Sequence, residues 1–169
     1  MKGMVKNMRA NKQTKSIAIG GLIAALYVVL TYIASAFGLS SGVIQFRISE
    51  ALCILPAFTP AAIPGLLIGC MISNILAGGV VWDVVFGSIA TLIGAVGTYL
   101  LREKRWLISI PPIAANMLIV PIILIYAYQV SEGFWFLFTT VGIGENVCAG
   151  VLGQLLYTAL DKRRSIFKS

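Results

Sequence analysis

The stretch Ile44–Leu55, IQFRISEALCIL, sets Arg47 and Glu50 inside a chain that otherwise keeps charge out of its apolar segments. Residues three apart on a helix share a face, so the two read either as a structural ion pair or as part of a polar cavity wall. A charged side chain at membrane depth costs at least ~2.5 kcal/mol on insertion scales, so such groups face one another, water or a ligand rather than lipid.

The surroundings make membrane depth the right frame. Of 169 residues, 59% are hydrophobic and only 11% charged, in apolar runs near the length of a bilayer crossing. The expectation is one all-α integral membrane domain over 1–169, with a basic flank at 1–16, a six-helix bundle at 17–160 and a basic tail at 161–169. The formal net charge of +7 sits in short flanks of apolar segments, where it sets topology and does not argue for nucleic acid. Histidine is absent, which excludes His-base chemistry and the zinc sites built on it. Cys53, Cys70 and Cys148 stand far apart in apolar runs and read as small buried residues, with no metal spacing or disulfide framework. No G-x-x-x-x-G-K-[ST], G-x-S-x-G or H-E-x-x-H occurs, so neither ATP hydrolysis nor another enzymatic activity is expected.

Around the central stretch the helices follow in order. Ile17–Phe37 is the first; its apolar run is too long for a signal-peptide core, although Ala34-Ser35-Ala36 mimics a cleavage site. Gly20 with Ala24 and Gly21 with Ala25 form overlapping small-xxx-small pairs, suited to close internal packing or to docking a separate subunit. Gly38–Val43 links to Ile44–Phe58, a short second segment that is either tilted or broken near Pro56. Ala61–Ala77 follows, with Gly65, Gly69 and Ser73 on a close-packing face. Trp82–Leu101 carries Asp83, Gly87, Thr91, Gly94 and Thr98 on one inward stripe. Trp106–Tyr128 is the fifth helix despite Pro111, Pro112 and Pro121, and Phe136–Leu160 the last.

Basic residues fix the topology. Lys2, Lys6, Arg9, Lys12 and Lys15 precede the first helix, Arg102, Lys104 and Arg105 follow the fourth, and Lys162, Arg163, Arg164 and Lys168 follow the last. All lie on one face only with six crossings and both termini cytoplasmic. Arg47, Glu50, Asn74, Trp82, Asp83, Glu145 and Asn146 then fall in the outer half, with Asn116 near mid-depth. Asp83 reads either as a helix cap or as a site carboxylate. Glu145 lies between Gly144 and Gly150 with no basic residue within a turn, which favours a functional partner. The asparagines suit a planar heterocycle or interhelical bonding; Trp82, Tyr128, Phe134 and Trp135 suit ring stacking or an interfacial belt.

FRISEALCILPAFTPAAIPGLLIGCMISN and WDVVFGSIATLIGAVGTYLLR, with the small-residue face of the first helix, resemble the QueT family. The resemblance implies a substrate-binding S component of an energy-coupling factor (ECF) transporter in the prokaryotic plasma membrane. It implies a six-helix S-component fold with an outer pocket roofed by the loop after the first helix. It also implies docking through Gly20, Gly21, Ala24 and Ala25 onto a transmembrane coupling subunit, with two ATPase subunits using ATP and no cofactor in this chain. The implied ligand is a 7-deazaguanine in its 7-cyano or 7-aminomethyl form. On chemical grounds Glu145 would accept from its N1–H and exocyclic amine, and Asn74 or Asn116 would donate to its carbonyl. Asp83 or Glu50 would neutralise an aminomethyl cation, with Arg47 holding Glu50. An S component for another vitamin-like heterocycle, or a self-contained carrier, is the alternative.

Overall fold

A computed structural model describes residues 2–39 and 46–163, with side chains from residue 11 onward. Helix α1 runs Lys2–Ala36, so the basic flank expected ahead of it is itself helical. Lys, Arg, Met, Ala and Gln there are good helix formers, and no proline intervenes. Gly38 ends it at φ 70°, a left-handed conformation glycine adopts without penalty. Most of the expected Gly38–Val43 link, and with it the roofing loop, lies outside the described residues.

The central stretch is one unbroken helix, which corrects the alternative of a break near Pro56. Ile48–Ala57 is a 3-10 helix that continues through Pro56, and Ser49 to Ala57 are all buried. At ~2.0 Å per residue its ten residues reach ~20 Å, further than α geometry would carry them. Buried from Ser49 to Ala57, polar Ser49 and Glu50 included, it takes a shape that follows the space between the other helices. Its Leu52, Cys53, Ile54 and Leu55 form the heart of the core with Leu66 and Tyr157.

Helix α2, Ala62–Leu76, packs backbone to backbone on α1. Cβ atoms added at Gly65 and Gly69 would lie 2.5 Å from the Gly20 carbonyl oxygen and 3.0 Å from the Ala24 Cα. Only glycine on α2 allows this approach. The expected fourth helix is a π turn, Asp83–Gly87, continued by α3, Ser88–Leu100. Asp83, Gly87, Thr91, Gly94 and Thr98 are all buried along its inward face.

Helix α4 is Ile110–Tyr126, four residues shorter at its start than expected. Pro111 and Pro112 fix the first helical turn, where their missing N–H groups cost nothing, and the residues ahead of them form turns. Gly94 and Gly97 of α3 meet these prolines, and Thr98 donates a 2.7 Å hydrogen bond to the Ile108 carbonyl. The last helix begins at Phe134, after extended Gly133, and comprises α5 (Phe134–Glu145), a π turn (Asn146–Leu152) and α6 (Gly153–Asp161).

The described residues thus form six helical segments and no strand. Three of them, Asn11–Ala36, Asp83–Leu100 and Phe134–Asp161, are long and apolar enough to cross a membrane; the 3-10 helix, α2 and α4 are shorter. Leu22, Val29, Ile75, Ile93, Leu118 and Val151 leave large apolar side chains exposed around the bundle. Such a surface belongs against hydrocarbon, not water. The chain is an all-helical membrane protein.

Candidate functional site

Asp83 joins three segments at one end of the bundle. Its carboxylate accepts a 3.0 Å hydrogen bond from the Tyr128 phenol and lies 3.8 Å from the Arg47 guanidinium. Its backbone carbonyl accepts a 3.2 Å bond from the Asn74 amide. Gly87, one turn on, keeps this corner open: a Cβ there would stand 3.0 Å from Asp83 Oδ1 and 3.2 Å from Asn74 Nδ2. Trp82 holds the N-cap position of the π turn, and Asp83 is the acidic residue of its first turn. Arg47 pairs with Asp83 and not with Glu50, correcting the three-apart pairing: outside the 3-10 helix at an extended ψ of 86°, Arg47 does not share a helical face with Glu50. In the loop beyond α4, burial and the adjoining Asp83 carboxylate push the Tyr128 phenol up.

Glu50 lies one layer deeper and is 0% exposed. One carboxylate oxygen accepts from the Tyr27 phenol of α1, the other from the Cys53 thiol at 3.0 Å. Thr31 of α1 adds a 2.8 Å bond to Ser49. Both partners of Glu50 are neutral donors.

Glu145 ends α5 at 5% exposure, and Asn116 of α4 is 2% exposed beside it. Asn116 acts on Glu145 as a side-chain hydrogen-bond partner, and Glu145 also feels Glu50 and Arg47. That contact is loose: neither Glu145 Oε2 nor Asn116 Nδ2 makes a well-formed hydrogen bond. A buried acceptor and a buried donor in so loose a contact are costly unless they close on each other or a third group completes them. Asn74 by contrast is engaged, donating also toward Cys70 Sγ at 3.7 Å, while Thr91 donates to that thiol at 3.3 Å.

The fold therefore gathers Arg47, Glu50, Asn74, Asp83, Asn116 and Glu145, and leaves two expected site residues out. Trp82 is 62% exposed and stacks on Phe86 at 5.6 Å, facing outward. Asn146 is exposed and bonds back to the Gly142 carbonyl at 2.8 Å, because the π turn starting there carries it past the inner face. The two small-residue pairs of α1 also divide. Gly20 and Ala24 are buried against α2 and closed to any partner, whereas Gly21 and Ala25 are exposed.

Sequence reasoning did not single out Tyr27, and read Cys53 as an inert core residue. A signal for Tyr27 was present: Gly20, Ala24, Tyr27 and Thr31 follow one helical stripe at spacings of four, three and four. Nothing local marks Cys53 as a donor to Glu50. Among the described residues no three His, Cys, Asp or Glu side chains gather as a metal site. The arrangement suits a ligand that offers hydrogen-bond donors to carboxylates and one acceptor to an amide.

The family model described as QueT transporter matches residues 17–162. Over 82 residues the chain is 42% identical to the queuosine precursor transporter QueT of Lactococcus lactis subsp. cremoris (strain MG1363), covering 48% of this chain and 47% of that protein. The chain thus spans about half the length of that curated relative. No solved structure matches.

Proposed function

Because the chain belongs to the QueT transporter family, we propose that it is the membrane-embedded substrate-binding subunit of an ECF-type importer for a queuosine precursor. The observation that carries the ligand assignment is the loosely bonded pair at the buried α4–α5 contact, Glu145 Oε2 and Asn116 Nδ2. Glu145 Oε2 accepts from the N1–H and exocyclic amine of a 7-deazaguanine, and Asn116 Nδ2 donates to its ring carbonyl. Asn74, already engaged with Asp83, is not needed for that contact.

In this reading all six helical segments cross the bilayer with both termini cytoplasmic. The cluster formed by Arg47, Asp83 and Tyr128 stands at the outer end, and Arg102, Lys104 and Arg105 lie at the cytoplasmic end. The 3-10 helix, α2 and α4 are short for a full crossing but sit among longer neighbours, which shield their ends. Substrate enters from outside and rests on Glu145 and Asn116, whose own contact is loose enough to give way to it. The chain carries no ATP site; a transmembrane coupling subunit, docked on the exposed Gly21 and Ala25 side of α1, transmits the work of two ATPase subunits.

Calorimetric titration of the purified chain in detergent with 7-aminomethyl-7-deazaguanine tests the ligand assignment. The expected result is saturable binding that weakens about 10- to 100-fold in Glu145→Gln, the worth of a hydrogen bond to a charged group. Binding unchanged in the variant removes Glu145 as the anchor. Displacement by an unrelated vitamin but not by guanine-like rings moves the chain to another S-component substrate. Uptake without ATPase subunits would make it a self-contained carrier.

A further inference from the structure

We propose that Glu50, positioned by Tyr27 and Cys53, is the counter-ion for a positively charged substituent of the ligand and so selects amine-bearing over neutral rings. The inference rests on the reading of Glu145 and Asn116 as the ring contacts and specifies what lies beside them.

Three buried carboxylates, Glu50, Asp83 and Glu145, share this region with one guanidinium, Arg47. Arg47 forms its ion pair with Asp83, which the Tyr128 phenol also engages, so Asp83 is already compensated. Glu50 is different. It is 0% exposed and held by a phenol and a thiol, two uncharged donors that fix its orientation without neutralising it. Among the described residues no Lys or Arg forms an ion pair with it, and Arg47 acts on it only at longer range. Glu145, also lacking an ion-pair partner, is near enough for the two carboxylates to feel each other.

A buried carboxylate without a cation is expensive to keep, and a ligand ammonium removes that expense on binding. A nitrile or an unsubstituted ring brings no charge and leaves Glu50 as it was. Discrimination therefore comes from charge, not from shape: 7-aminomethyl and 7-cyano rings differ little in size. Tyr27 acts as a positioning residue, and it ties this preference to α1, the helix whose opposite face is exposed.

The test is the ratio of affinities for 7-aminomethyl-7-deazaguanine and 7-cyano-7-deazaguanine, measured by calorimetry on the purified chain in detergent. Wild type should favour the amine by at least about tenfold. Glu50→Gln should bring the ratio close to one, with nitrile affinity held within about threefold. Tyr27→Phe should lower the ratio part of the way, whereas a purely structural loss weakens both ligands equally. Circular dichroism and elution volume establish that each variant is folded. Should Glu50→Gln not fold, the wild-type and Tyr27→Phe ratios decide. Equal wild-type affinities, or a ratio that survives Glu50→Gln, overturn the role of Glu50 and leave the ring contacts standing. Binding of neither ring by folded wild type overturns the ring contacts as well.

Discussion

Replacing Gly65 with alanine tests whether the α1–α2 contact depends on glycine for its closeness. A Cβ at position 65 would stand 2.5 Å from the Gly20 carbonyl oxygen and 3.2 Å from the Gly20 Cα, both backbone atoms of a long helix. Ordinary contact begins near 3.4 Å, so α1 and α2 must part by about 3.4 − 2.5 = 0.9 Å. Dispersion falls steeply over such a gap along the whole seam, and overpacking of this kind costs about 1–3 kcal/mol. For a chain of this length that is roughly 2–12 °C in Tm. Gly21→Ala is the control, since nothing lies within 4 Å of its added Cβ. There alanine should leave Tm unchanged or raise it, because glycine inside a helix is worse than alanine by about 0.5–1 kcal/mol. Thermal unfolding in one detergent, followed by circular dichroism, compares them. The reasoning fails if Gly65→Ala melts with wild type, or if Gly21→Ala falls as far.

Thr98→Val removes a buried donor from the Ile108 carbonyl, and Tm should drop by an amount corresponding to about 1–3 kcal/mol; an unshifted melt would mean that bond contributes nothing. Asn146→Ala should leave ligand affinity within about twofold, since its amide bonds only to Gly142 of its own helix, and a tenfold loss would return Asn146 to the site. Gly21→Leu combined with Ala25→Leu should abolish co-purification with a coupling subunit while ligand titrations stay unchanged; an intact complex would clear that face of any docking role.

Residue spacing carried much of the fold because small residues in lipid-facing helices have few reasons to recur other than close packing. Gly65 and Gly69 meet α1, Ser73 is buried on the same helix, and the stripe from Asp83 to Thr98 turns inward, as their spacing in the sequence indicates. Helix type was not legible in the same way. Ile48–Ala57 is buried on all sides from Ser49 onward, its two polar residues Ser49 and Glu50 being adjacent, so its sequence has no periodicity to separate 3-10 from α geometry, and its neighbours decide. Polarity identified Glu50, Asp83, Asn116 and Glu145 as inward-facing, but a side chain's partner is a tertiary fact. Arg47 reaches across to Asp83 and Glu50 turns to Tyr27, over separations that sequence distance does not encode. Asn146, next to Glu145 in the chain, leaves the cluster because the π turn beginning there changes the angular register.

The two π turns also bear on ancestry. Each holds one residue more than an α-helix of the same span, the trace of a single-residue insertion. One stands at Asp83 and the other directly after Glu145, so each insertion borders a carboxylate of the cluster. Deleting one residue from Asp83–Gly87 would restore α geometry and swing the preceding segment by ~100° around the axis, taking Asp83 away from Arg47 and Tyr128. A one-column gap in a comparison of relatives, at either turn, therefore marks a chain that presents a different set of charges to its cargo.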